Sequence, residues 1–317
     1  MARKKTKKNA KKRFIIAFIL IMCLMLLGCL LTYTLMQEDN ATAPQSNNND
    51  NIDLIIEENP DVIEQINQED NVYNFEDISL EDLEIPICAA STGNTDHEIH
   101  KYMGFTLCYR ESYELAEWVS YTLTKEELNR VIGRTDDFRT DKNISTGSAT
   151  PSDYKGSGFD RGHLAPAADM EWSEQSARES FLMSNMTPQA PALNRKMWKT
   201  LEEQVRIWAE SFGQVTVITG PLLEKSADNY DSIGTNKVAV PEYFYKILAT
   251  KLLDNEGNTN IISIAFIMPN NDCAGNIWDY VVTIDEVEER TGLNFFAIIP
   301  DEKEALIEGN IDTQGWK

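Results

Sequence analysis

The stretch Asp160-Arg161-Gly162-His163-Leu164-Ala165-Pro166-Ala167-Ala168-Asp169-Met170 is the densest chemistry in the chain. It carries one of only three histidines, the others being His97 and His100. A neutral imidazole can take a proton from water near pH 7. An arginine fork matches the oxygens of a phosphate. A glycine between them lets another group approach the backbone closely. These four residues also suit a plain surface loop, so they need a second element to become a site.

That element follows at 184–206. Pro191 fits the first turn of a helix. Leu193, Met197, Leu201 and Val205 recur every four residues and make a core stripe. Asn194, Trp198, Glu202 and Arg206 run beside it, rotated by one residue, where an apolar wall meets solvent. In a regular helix Asn194 and Glu202 stand about 12 Å apart along the axis, at about 1.5 Å per residue. They cannot both ligate one ion directly. Asn194 could bind it, with Glu202 acting through water. One neutral oxygen plus several waters suits Mg²⁺, which dehydrates reluctantly, and does not suit zinc. Read alone, the helix is an ordinary amphipathic one.

Together, Asp160-Arg161-Gly162-His163 and the Asn185/Gln189/Asn194/Glu202/Arg206 spacing resemble the DNA/RNA non-specific endonucleases with a ββα-metal finger. The likeness is close from Phe159 to Arg206 and looser over roughly 100–300, including Gly220-Pro221, Pro269-Asn270 and Thr291-Gly292-Leu293. It implies that His163 is the general base, Asn194 the sole direct protein ligand of Mg²⁺ (with Mn²⁺ as a substitute), and Glu202 the acid holding metal-bound water. Arg161 falls beside the scissile phosphate. Asn185, Gln189 and Arg206 fall at supporting or phosphate-contacting positions. The family also places an arginine upstream, where Arg134 and Arg139 both fit. The implied fold is α/β (α+β): a mixed, mainly antiparallel sheet flanked by helices, with the ββα unit carrying the site. The implied substrates are DNA and RNA. Metal and base address the backbone phosphate rather than base edges, so little sequence preference is expected.

The elements that must position these residues are readable in outline. Phe105–Arg110, Trp118–Leu123, Val215–Thr219, Tyr243–Thr250, Ile261–Met268 and Phe295–Ile299 alternate or run apolar like strands. Helix is expected across 173–184, 191–212 and 284–291, with loop across 133–158.

Upstream, the chain divides by composition. Residues 1–13 are a basic tail, and the eight bases of 1–37 all lie there. Residues 14–36 are uncharged and apolar for long enough to span a bilayer. The basic flank sets the N-terminus on the cytoplasmic side, so the body is expected outside. Leu26-Leu27-Gly28-Cys29 loosely resembles a lipoprotein box, leaving anchoring at Cys29, or secretion after cleavage, as alternatives. Residues 37–90 hold fifteen acids and no base and read as a disordered tether. The catalytic domain is expected over 91–317. A homodimer is compatible with all of this.

Charge argues the other way. The formal net charge is -22, which by itself disfavours a nucleic-acid ligand. The motif-bearing half is nearly balanced, at 14 bases against 18 acids over 91–206, while 207–317 has 7 against 18. The bases of the first half could therefore gather in a groove. Two rival readings are a receptor that binds nucleic acid on the same fold without cleaving it, and a zinc peptidase built on His97 and His100. Cys88, Cys108 and Cys273 leave room for one disulfide.

Overall fold

The structure is a computed structural model. It describes residues 93–317 apart from residue 255, together with Phe75, residues 78–81, Leu83 and residues 86–89. The basic tail, the apolar run 14–36, Cys29 and most of the acidic segment lie outside the described residues. Among the described residues no helix is long and apolar enough to cross a membrane.

Seven antiparallel strands form the central sheet, in the order β1-β2-β3-β6-β9-β10-β11. They are β1 (His97–Lys101), β2 (Thr106–Arg110), β3 (Leu115–Thr124), β6 (Gln214–Pro221), β9 (Tyr243–Leu253), β10 (Thr259–Pro269) and β11 (Val281–Val282). The middle strands β3, β6, β9 and β10 are rich in Val, Ile, Thr and aromatic residues, which fit a pleated surface. They are buried on both faces. Two separate hairpin-like pairs complete the strands: β4 (Asp160–His163) with β5 (Met186–Gln189), and β7 (Ser232–Ile233) with β8 (Val238–Ala239).

The helices are α1 (Glu174–Ser180), α2 (Lys199–Phe212), α3 (Ile284–Thr291) and α4 (Asp301–Glu308). One sheet face packs on α2 through Leu201, Val205, Trp208, Val217, Leu248 and Phe266. The other packs on α3 and α4 through Val287, Ile307, Ile247 and Ala265. The expected stripe Leu193, Met197, Leu201 and Val205 is buried throughout. Truncating Leu201 to Ala would cost about 2–5 kcal/mol, the usual range for a filled core site.

Four expectations need correction. The tether does not reach residue 90: Phe75, Leu80, Leu83 and Cys88 are buried in the core beneath α3. The Phe75 amide donates to the Thr259 carbonyl, Thr216 Oγ1 donates to the Leu80 carbonyl, and Cys88 is disulfide-bonded to Cys108. The folded domain thus begins before 91. Second, Phe295–Ile299 is not a strand. Phe296 has a positive φ of 50° and turns the chain, so the apolar run plugs the core as a bend. Third, α1 ends at Ser180, with a 3-10 turn at Met183–Asn185 after it. Fourth, the helix from 191 is not uniform: Leu193–Trp198 is a π-helical segment that leads into α2. The wider turn starts at the residue before Asn194, so the regular-helix spacing assumed for Asn194 and Glu202 does not hold. Such segments recur at functional sites.

Candidate active site

Strands β4 and β5 pair antiparallel with His163 opposite Met186 and Asp160 opposite Gln189. The π segment and α2 follow directly. This ββα unit walls one side of a cleft of about 390 Å³ lined by Arg134, Arg161, His163, Asn194, Arg195, Lys199, Glu202 and Arg206, among others. Residues as far apart in sequence as Arg134 and Arg206 are thereby brought to one surface.

His163 is 7% exposed and sits in an aromatic slot. The Phe181 ring meets it edge-on at 5.1 Å and the Phe138 ring lies at 5.6 Å. Its Nε2 is buried and has no hydrogen-bond partner in the protein. Burial, reinforced by the Arg134 charge, pushes the imidazole down to about 3. The ring is therefore neutral at physiological pH, the form able to accept a proton. Arg161 stacks over Phe138 at 4.3 Å, so one phenyl ring orients both the imidazole and a guanidinium.

Asn194 donates through Nδ2 to Asp160 Oδ2 at 3.0 Å. With the amide nitrogen committed, Oδ1 remains as the acceptor, the atom a hard cation takes. Asp160 also receives both arms of Arg195, at 2.7 and 2.6 Å. Burial opposes its ionisation, but Arg195 and Asn194 hold the carboxyl below the usual range. The first residue of the Asp-Arg-Gly-His run thus fixes the amide on the facing helix. Sequence reading gave Asp160 no role; its place opposite Gln189 in the β4–β5 pair is what puts it there.

Glu202 is half-buried in the same cleft. Burial pushes its carboxyl up to about 7, against the pull of Lys246; Asp169 adds to the rise and Arg206 opposes it. Arg206 Nη1 donates to Asp169 Oδ1 at 2.7 Å, and Tyr121 donates its hydroxyl to Asp169 Oδ2 at 2.8 Å. Asp169, fully buried, is a second anchor that the sequence did not reveal. It immobilises Arg206 at the cleft wall.

The two upstream arginines differ in position. Arg134 lines the cleft, whereas Arg139 turns away and donates to the carbonyl of Arg178 at 2.7 Å. Asn185 and Gln189 are fully buried. Asn185 accepts from the Ala165 amide and donates to the Ala165 and Ser180 carbonyls, each at 2.9 Å. It extends the β4–β5 ladder past His163. Gln189 packs on Gly162, where a Cβ would stand 2.2 Å from Gln189 Oε1. Both are buried and neither lines the cleft, and a side chain at 162 would displace Gln189.

The zinc peptidase reading fails on geometry. His97 and His100 are three apart on β1, so they face opposite sides of a strand. His97 pairs with Glu117 at 3.3 Å and His100 with Glu98 at 3.0 Å.

The donor set suits a hydrated Mg²⁺. Asn194 and Glu202 offer hard oxygens, and among the described residues the cleft has no group of three or more carboxylate, thiol or imidazole ligands that would cage an ion. An ion held there keeps most of its water.

A histidine-bearing strand pair, a helix presenting an amide and a carboxylate, and guanidinium groups around them fit a nuclease of the ββα type. Residues 86–302 match the profile of the DNA/RNA non-specific endonucleases. The chain belongs to this family, whose members are metal-dependent hydrolytic nucleases. Human mitochondrial Endonuclease G is 39% identical over 202 residues, which cover 60% of this chain and 67% of the human protein. A nuclease of Nostoc sp. is 34% identical over 222 residues, covering 66% of this chain and 76% of its own. The crystal structure of the EndoG/EndoGI complex superposes with a TM-score of 0.58 at 30% identity, covering 65% of this chain and 88% of that one.

Proposed function

We propose that this protein is a membrane-anchored, outward-facing endonuclease that hydrolyses phosphodiester bonds of DNA and RNA with one Mg²⁺. The observation that carries the reading is the convergence of His163, Asn194, Glu202 and the arginines on a single cleft. His163, neutral and oriented by Phe138 and Phe181, removes a proton from the attacking water. Arg161 and Arg134 hold the phosphate, and Arg206, braced by Asp169, neutralises charge on its oxygens. Asn194 Oδ1 would hold the ion directly and Glu202 through water. When bound, Mg²⁺ supplies Lewis-acid stabilisation of the charge that develops on the phosphoryl and leaving oxygens. The contacts address phosphate, so they bring no base preference.

The decisive test is full-length protein in detergent incubated with plasmid and RNA. Cleavage of both should require Mg²⁺ and stop on chelation, and His163→Ala should slow it by at least about a hundredfold. Binding of DNA without turnover in saturating Mg²⁺ would favour a non-catalytic receptor instead.

The anchor rests on residues 14–36 and the basic residues before them. The buried Cys88–Cys108 disulfide supports an oxidising compartment for the domain. Protease added to intact cells should remove the nuclease domain and leave a membrane-bound N-terminal stub. A domain protected until lysis would place it inside and sink this part of the proposal.

A further inference from the structure

Far along the chain from the cleft residues, α3 and α4 bring three carboxylates together. Asp285 lies in the first turn of α3, Glu288 one turn later, and Glu308 is the last residue of α4. One oxygen from each lies within 4.8 Å of the other two. Glu308 is the telling member. It is only 4% exposed, and its Oε1 is buried with no hydrogen-bond partner in the protein. Glu288 is fixed, because its Oε1 accepts the Phe295 amide at 2.8 Å. Glycine at 309 lets the end of α4 close on Asp285: a Cβ there would stand 3.2 Å from Asp285 Oδ2.

Three carboxylates this close, one of them enclosed, are costly to keep charged together in water-poor surroundings. Glu308 also stands at a helix C-terminus, where the backbone dipole already disfavours a negative group. Burial, together with Glu288, Glu304 and Asp285, pushes its carboxyl up to about 9. Either a proton or a cation must resolve the crowding.

We propose that Asp285, Glu288 and Glu308 form a calcium-binding site that ties α3 to α4. Calcium gathers oxygens at about 2.3–2.6 Å in a flexible arrangement, which three carboxylates converging from two helices can supply, whereas Mg²⁺ demands near-ideal octahedral geometry and keeps most of its water. An all-oxygen, all-carboxylate set with flexible geometry is calcium chemistry, and zinc would want nitrogen or sulfur. Asp285 is exposed and Glu308 is enclosed, so the ion enters from the Asp285 side with water completing its shell. The site is independent of the nuclease reading, since none of its residues lines the cleft.

The test is thermal unfolding of the full chain in detergent, as parent, Asn194→Ala and Glu308→Gln, with 10 mM CaCl₂ or MgCl₂. For a site of about millimolar affinity, calcium should raise the midpoint by about 3 °C in the parent. The same shift should appear in Asn194→Ala, shrink with Mg²⁺, and vanish in Glu308→Gln. Absence of a calcium shift, or a shift that survives Glu308→Gln, overturns the site. A shift lost only in Asn194→Ala would assign the ion to the cleft and also overturn it. If Glu308→Gln does not fold, Asp285→Asn replaces it, with calcium affinity by calorimetry expected to fall at least about tenfold. Mg²⁺-dependent plasmid cleavage should be unchanged by Glu308→Gln, which separates failure here from failure of the nuclease reading.

Discussion

Among the described residues, the cleft above β4, β5 and α2 is lined by Arg134, Arg161, Arg195, Lys199 and Arg206 with one lining carboxylate, Glu202, while Asp160 and Asp169 pair with Arg195 and Arg206 beside it. The α3–α4 end of the same domain is lined by Asp285, Glu286 and Glu289 with Arg290, beside the enclosed Glu308. The chain's net charge of -22 describes the second region and misdescribes the first. At physiological salt, charges act over about 8 Å. A phosphate in the cleft therefore meets the guanidinium groups around it, and the distant acids contribute little. The acidic composition that argued against a nucleic-acid ligand is thus a property of surfaces that the ligand need not touch.

The largest effects should come from the cleft. His163→Ala should lower kcat by about 10²–10⁴, the usual worth of a general base, while the folded domain still unfolds cooperatively. A variant that cleaves at the parental rate would remove the imidazole from the mechanism. Next is Asp160→Asn, which weakens the Arg195 pair and loosens the hold on the Asn194 amide. Groups that orient a metal ligand are usually worth about 10–100-fold in metal affinity or activity. The loss should appear as a higher Mg²⁺ requirement, partly recovered at high Mg²⁺. An unchanged Mg²⁺ curve would make the 3.0 Å Asn194–Asp160 bond incidental.

These two predictions also mark how far the sequence alone could go. The family resemblance carried by the residues around His163, Asn194, Glu202 and Arg206 implied that these side chains share one site, and all four line the same cleft. The strands of the sheet were readable where β-branched residues cluster, as in β6 and β10. What holds the site was not readable. Asp160 and Asp169 act through hydrogen bonds to residues 34 and 37 positions away in sequence, and no local pattern records such pairs. The π segment was hidden for a related reason. Its Leu193-to-Val205 stripe keeps a helical period, and only the tertiary position of Asn194 demands a wider turn. Phe295–Ile299 misled because a short apolar run reads alike in a strand and in a buried bend.

Salt dependence should separate the two regions directly. Each cation that contacts phosphate adds about one unit to the slope of log affinity against log salt. Lys199→Ala should reduce that slope for DNA binding by about one, measured in Ca²⁺ or without metal to prevent turnover. Glu286→Gln on α3 should leave it unchanged. Equal changes from both would mean that the whole-chain field, and not the cleft lining, governs association.

The smallest effect is a shift in pH profile. The acid limb of kcat/KM follows protonation of the base in the free enzyme. Burial and the Arg134 charge hold His163 well below its ordinary value of 6.5, so the neutral form persists and the limb should fall below pH 6.5. The sign for a variant follows: Arg134→Ala removes a positive neighbour, makes the imidazolium easier to form, and moves the limb upward. Arg139→Ala should not move it, because that guanidinium is turned to the Arg178 carbonyl and away from the cleft. A limb that stays put in both variants would leave burial in the Phe138–Phe181 slot as the sole control on the base. A limb that moves with Arg139 alone would reverse the assignment of the upstream arginine.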